Sequence, residues 1–80
     1  DHEAVIASPI VGVFYTSPGP DSEPFVKVGD RIQGGQTIGI VEAMKLMNEI
    51  ESDVSGVVTE VLAADGEGVE YGQPLIRVEK

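Results

Sequence analysis

The sequence predicts an all-β domain in which one structural plan is used twice. Three observations predict it. Short Val- and Ile-rich segments alternate with Gly- and Pro-containing turns at close spacing. No interval of the 80 residues carries a helical pattern of good helix formers except EAMKLMNEI at 42–50. The chain also repeats itself. Laying residues 29–42 (GDRIQGGQTIGIVE) on residues 66–79 (GEGVEYGQPLIRVE) matches Gly29 with Gly66, Gly35 with Gly72, Gln36 with Gln73, Val41 with Val78 and Glu42 with Glu79.

Taken in chain order, the first strand is expected at residues 4–8 (AVIAS), ending at the breaker Pro9. Gly12–Tyr15 (GVFY) is the second. Residues 25–28 (FVKV) are expected to form a third, closed by a Val28-Gly29-Asp30 turn, with Arg31–Ile32 a short fourth. Gly34-Gly35 turns the chain into residues 37–41 (TIGIV), and residues 47–51 (MNEIE) follow. Ser55-Gly56 opens Gly56–Val61, and the turns at Asp65-Gly66 and Tyr71-Gly72 lead to Pro74–Glu79.

The repeat decides the status of EAMKLMNEI. Residues 8–13 (SPIVGV) lie on residues 52–57 (SDVSGV), so residues 46–52 correspond to residues 2–8, a strand. Helix propensity should therefore yield to tertiary context. Lys45 then sits with Met44 at a hairpin tip, on the seam between the halves. Met-Lys is a poor choice for a tight turn, which ordinarily wants Asn-Gly or Gly. Something other than folding selects those residues. The two parts of the repeat have offsets of 44 and 37, so seven extra residues fall between Gly12 and Gly29. They lie in YTSPGPDSEPF (residues 15–25), a Pro-stiffened protruding loop present in one half only.

Composition narrows the function. The absence of cysteine excludes disulfides, thiolate nucleophiles and zinc–thiolate sites, and no metal is expected. A net charge of −9 offers no basic face for nucleic acid and disfavours anionic membrane surfaces. No apolar run is long enough to span a bilayer as a helix. The chain begins at Asp1 without a methionine, and residues 1–80 are expected to be an excised domain, the C-terminal part of a longer protein. Catalysis finds little support. His2 is the only histidine and lies at the terminus, so no Ser-His-Asp arrangement can form. The glycines of residues 66–72 lack dinucleotide-fingerprint spacing and are turns. Glu49, Glu51, Asp53 and Glu42 are expected to be solvated.

Lys45 stands out. It is the only Lys or Arg from Ile32 to Ile76, a stretch carrying Glu42, Glu49, Glu51, Asp53, Glu60, Asp65, Glu67 and Glu70. A lysine on a hairpin tip has no apolar wall to desolvate it and is not set up for Schiff-base chemistry. What remains is an acceptor for covalent modification, as with the group carriers biotin and lipoamide. A β-rich interaction module with an unmodified lysine remains open, although it leaves the seam lysine and the one-sided insertion unexplained.

Glu42-Ala43-Met44-Lys45-Leu46-Met47-Asn48 resembles the attachment signature of biotinyl domains, usually Ala-Met-Lys-Met, and the resemblance covers essentially the whole chain. It implies a flattened barrel of two four-stranded antiparallel sheets with a quasi-dyad, and biotin in amide linkage on Lys45. Glu42, Ala43, Met44, Leu46 and Met47 form the rest of the attachment motif. Lipoyl domains share the fold but show Asp-Lys-Ala at the tip, and Met44 favours biotin. Leu46 departs from the usual methionine, a nearly volume-conserving change. The insertion at 16–24 resembles the thumb that marks the biotin carboxyl carrier branch serving bacterial-type acetyl-CoA carboxylase. This implies that Ser17 and Pro18 lie beside the cofactor ring. The implied role is non-catalytic: to be loaded by a biotin protein ligase and to shuttle a carboxyl group from biotin carboxylase to carboxyltransferase, for malonyl-CoA and fatty acid synthesis. A cytoplasmic location is expected, or a plastid one in a plant. The biotinyl domain of another carboxylase or decarboxylase, or a lipoyl carrier, remains the alternative.

Overall fold

The computed structural model describes residues 2–80 and contains eight strands, with no helix among the described residues. The strands are β1 (Glu3–Ala7), β2 (Gly12–Tyr15), β3 (Arg31–Ile32), β4 (Thr37–Ala43), β5 (Leu46–Glu51), β6 (Gly56–Val61), β7 (Glu67–Val69) and β8 (Pro74–Glu79). They form two four-stranded antiparallel sheets, ordered β1-β8-β6-β3 and β5-β4-β2-β7. The repeat carries β1–β4 onto β5–β8. Making that exchange in the first sheet order yields the second, so the quasi-dyad swaps the sheets. Each sheet draws two strands from each half, and neither half owns a sheet of its own.

The repeat appears as matched local structure. Ser8 and Ser52 are buried, and each hydroxyl donates to the carbonyl two residues on, Ile10 at 2.6 Å and Val54 at 2.5 Å. Gln36 and Gln73 side chains accept from the amides of Gln33 and Glu70 at 3.1 and 3.0 Å. The two buried hydroxyls are thus satisfied, as a low-dielectric interior requires, while the glutamine bonds close exposed turns. Gly29 and Gly66 occupy turns at φ 98° and 82°, where an added Cβ would meet open space, so only backbone strain opposes a side chain there. A valine at either position is expected to cost about 2 kcal/mol. Thermal unfolding followed by circular dichroism should then show the midpoint falling by about 10 °C in both variants alike.

The core lies between the sheets and departs from the repeat at Phe14. Phe14 is fully buried, and a Cβ on Gly39 would come within 2.5 Å of its ring. The repeat counterparts of Phe14 and Gly39 are Val58 and Ile76, both 1% exposed. One half fills its space with a ring and no neighbour; the other divides it between two aliphatic side chains, conserving volume.

Two strand expectations are corrected. Residues 25–28 form no strand. The Phe25 amide donates to Thr16 O at 2.8 Å and the Lys27 amide to the Asp30 carboxylate at 2.9 Å. Those backbone donors close the insertion and the following turn, which leaves no ladder to join. Val26 nevertheless reaches the core. Conversely, β7 pairs with β2 although no strand is expected at residues 67–69. Its Glu-Gly-Val composition hides it from propensity, but the repeat aligns Gly68-Val69 with Arg31-Ile32, which held the signal. The sheets agree with the flattened barrel that the resemblance implies. Asp1, the first residue of the expected domain, lies outside the described residues.

Candidate functional site

The hairpin of β4 and β5 pairs to its last residues, Ala43 opposite Leu46, which leaves only Met44 and Lys45 to reverse the chain. Helix formers are overridden there, as expected. Both turn residues are left-handed, at φ 51° and 68°, and they are the described non-glycine residues with positive φ. A two-residue turn of this hand matches strand twist, which is why it forms. Each L side chain held there costs about 1–2 kcal/mol. Such strain persists where the surroundings over-determine it and gathers at functional positions.

The mount beneath the turn is firm and its surface is unusual. Ala43 is buried, and Asn48 Nδ2 donates to Val41 O at 3.2 Å and to Leu46 O at 3.3 Å, bracing the two strands. Above it, Met44 is 92% exposed, with Leu46 and Met47 also exposed. Lys45 is exposed and takes part in no ion pair among the described residues; Arg31 and Lys80 are likewise unpaired, while Lys27 and Arg77 are paired. An unpaired primary amine thus stands at a fixed apex flanked in the chain by exposed apolar residues. Met44→Asn, which tolerates the left-handed region, is expected to raise stability by about 1 kcal/mol. Denaturant unfolding measures this, and an unchanged midpoint would mean that the methionine is not strained.

One residue pair inward from the tip, Met47 opposes Glu42. Met47 also borders a cleft of about 270 Å³ shared with Tyr15, Ser17, Pro18, Gly19, Pro20 and Asp65. The insertion forms one wall of it. Its base is closed by Phe25 N to Thr16 O, and Ser17 Oγ and Ser22 N both donate to Gly19 O, at 3.0 and 3.1 Å. The Ser17 proton is therefore committed, leaving its lone pairs to accept. The Tyr15 hydroxyl donates to Glu42 Oε1 at 3.3 Å. Partial burial, then the Glu42 charge and this hydrogen bond, then Asp65, push the phenol above its ordinary pKa. Glu42 is thus half-buried and bonded, not simply solvated as expected, because β2 places Tyr15 alongside it. Glu49, Glu51 and Asp53 are exposed. No cluster of three metal-ligating side chains exists among the described residues.

The structure therefore brings the sequence candidates together as an apex (Ala43, Met44, Lys45, Leu46) and a cleft (Met47, Ser17, Pro18), joined through Glu42. The chain matches the family model described as "Biotin-requiring enzyme" over residues 4–78. It belongs to that family. A biotin carboxyl carrier protein of acetyl-CoA carboxylase from Nostoc sp. is 63% identical over 75 residues, which is 94% of this chain and 41% of that protein. A chloroplastic counterpart from Arabidopsis thaliana is 57% identical over 88% of this chain and 28% of its own length. The chain thus spans less than half the length of these relatives. A single-chain, multi-domain long-chain acyl-CoA carboxylase superposes with a TM-score of 0.82 at 19% identity, over 99% of this chain and 7% of that one, a likeness of fold alone.

Sequence reasoning missed three residues that shape this family member's site. Asn48 was visible as part of the motif but not as a brace, since its bonds depend on the hairpin register. Tyr15 and Asp65 reach the cleft only through pairing across the sheet and across the repeat. The single signal for them was the place of Tyr15 at the root of the insertion.

Proposed function

We propose that this chain is a biotin carrier, non-catalytic in itself, that serves an acetyl-CoA carboxylase. Lys45 Nζ is the acceptor: a biotin protein ligase activates biotin's carboxyl group at the expense of ATP, and the amine displaces the activating group to form an amide. The observation that carries this reading is the unpaired amine on a turn of two strained non-glycine residues. The same geometry suits presentation to an enzyme, because Met44 and Lys45 are exposed while Asn48 and the Ala43–Leu46 pair hold the direction of the tip. Biotin, when bound, supplies a ureido nitrogen that takes up a carboxyl group and gives it up again.

The chain's own residues do the rest. Met44, Leu46 and Met47 give the ligase an apolar collar to recognise, and their exposure has no use in the fold. The cleft beside Met47 offers the ring a partly apolar wall, with Ser17 as an acceptor and Pro18 as a rigid flank. Its volume of about 270 Å³ and mixed lining fit a small bicyclic ring bearing one urea. Biotin carboxylase and carboxyltransferase are the partners that load and unload the arm. The acidic surface steers the domain toward basic faces on them.

Intact mass after incubation with biotin, ATP and a biotin protein ligase tests this. A gain of one biotin less one water, mapped to the peptide holding Lys45, is the expected result. No gain, with a lipoyl ligase reaction positive, would retain the carrier and replace its cofactor. If neither enzyme modifies the folded chain, the carrier proposal fails.

A further inference from the structure

Thr16, the first residue of the insertion, is gripped from the other half of the molecule. The Asp65 Oδ1 atom accepts from the Thr16 amide at 2.8 Å and from its hydroxyl at 3.2 Å. Thr16 O in turn accepts from the Phe25 amide at 2.8 Å, so the residue is held on both sides where the loop begins and ends. Asp65 also lines the cleft that Met47 borders.

Asp65 is not needed to make its own turn. The repeat counterpart of residues 64–67 is residues 27–30, in which Val28 occupies the position of Asp65. Both turns are closed alike: Ala64 N to Glu67 Oε1 at 2.7 Å and Glu67 N to Ala64 O at 3.1 Å, against Lys27 N to Asp30 Oδ2 and Asp30 N to Lys27 O, both at 2.9 Å. Gly66 N and Gly29 N even bond matching core-strand carbonyls, Phe14 at 2.7 Å and Val58 at 2.8 Å. The turn with an insertion facing it carries a carboxylate; the turn without one carries an exposed valine. The insertion gives the carboxylate a partner in one turn that the other turn lacks.

We propose that Asp65 is the positioning residue of the thumb: its grip on Thr16 fixes the loop over the cleft and so sets how firmly the ring carried on Lys45 is retained there. The second half of this statement rests on the biotin proposal, whereas the first does not. A charged acceptor with two donors makes a stronger clamp than a neutral one. A loop held at one end only would open with the low free energy typical of exposed segments.

The test uses Asp65→Val, which copies the counterpart turn, with Asp65→Ala as a second variant and Asp65→Asn as the conservative one. In the unmodified chain, amide exchange at Ser22 and Phe25, which Asp65 does not touch, is expected to quicken about tenfold in the valine and alanine variants. Core amides and the denaturation midpoint should stay near those of the parent, and asparagine should restore much of the protection. In the biotinylated chain, capture by streptavidin is expected to be about threefold to tenfold faster, because the ring leaves the cleft more often. Unchanged loop exchange would overturn the clamp, and unchanged capture despite a loosened loop would overturn its role in retention. If no biotin can be attached, the carrier proposal falls, yet exchange in the unmodified chain still decides whether Asp65 is the clamp.

Discussion

Gly56→Ala is expected to lower stability by about 3 kcal/mol or more, for a reason unlike that at the turn glycines. A Cβ at Gly56 would run into the Glu79 carbonyl oxygen and lie 2.9 Å from its carbon and 2.8 Å from Val78 Cγ1. The nearest obstacle is backbone, not a side chain that can swing away. β6 and β8 are the central pair of their sheet, so they can separate only by lifting β1 or β3 as well. A domain of this size has about 4–12 kcal/mol in total, so a large share of its stability is at stake. The thermal midpoint should drop by about 12 °C or more, read by circular dichroism. Gly12→Ala gives an independent check. Its Cβ would run into Glu42 O and meet Val41 Cγ1 at 2.7 Å, and the repeat requires a similar loss. Because Glu42 belongs to the strand that carries the tip, Gly12→Ala should also disturb Met44 and Lys45, whereas Gly56→Ala should not. Equal, small effects of alanine at Gly12, Gly56 and Gly66 would mean that the close approach of the strands is not limiting.

These glycines show how the fold could be read from the sequence. Gly12 and Gly56 match in the repeat, and so do Gly29 and Gly66. Each pair answers a backbone demand that glycine meets at least cost: a close approach at Gly12 and Gly56, a positive φ at Gly29 and Gly66. A repeat of backbone demands accompanies a repeat of topology, and exchanging the halves carries one observed sheet order onto the other. Composition by itself misleads both ways. FVKV at 25–28 looks like a strand, yet its donors serve the loop base and the Asp30 turn. EGV at 67–69 does not look like one, yet β2 supplies a partner. Strand formation depends on which neighbour is within reach, and that is decided at long range.

The site divides on the same line. Lys45 was legible because its isolation and its misfit with turn chemistry are properties of adjacent residues. The φ values of Met44 and Lys45 give that misfit physical form. Asp65 was not legible, because its partner Thr16 lies 49 residues away and nothing local marks an aspartate before a turn glycine as a clamp. Glu42 looks solvated in the sequence for a related reason. Its face can be counted from strand alternation, but its neighbour Tyr15 belongs to a strand whose register only the fold fixes.

Lys45→Arg is expected to leave the fold and its unfolding midpoint unchanged while biotin attachment falls below detection. The substitution keeps the charge and nearly the length of the side chain. A guanidinium remains protonated and delocalised, so it offers no lone pair to an activated carboxyl group. Lys45 has no ion pair among the described residues, so its replacement breaks no salt bridge there. A more demanding variant exchanges the two turn residues, Met44→Lys with Lys45→Met. Composition, net charge and the presence of an amine at the apex are all preserved. Only the position of the amine on the turn changes, by one residue, and the φ values of 51° and 68° show that both positions are already similarly strained. If the ligase requires an amine aimed from the second turn position, the exchanged chain should stay folded and take up little or no biotin. Intact mass and peptide mapping decide between the outcomes. Efficient attachment at the first turn position of the exchanged chain would show that any amine at the apex suffices, and the strained turn would then be a mount for exposure rather than for direction.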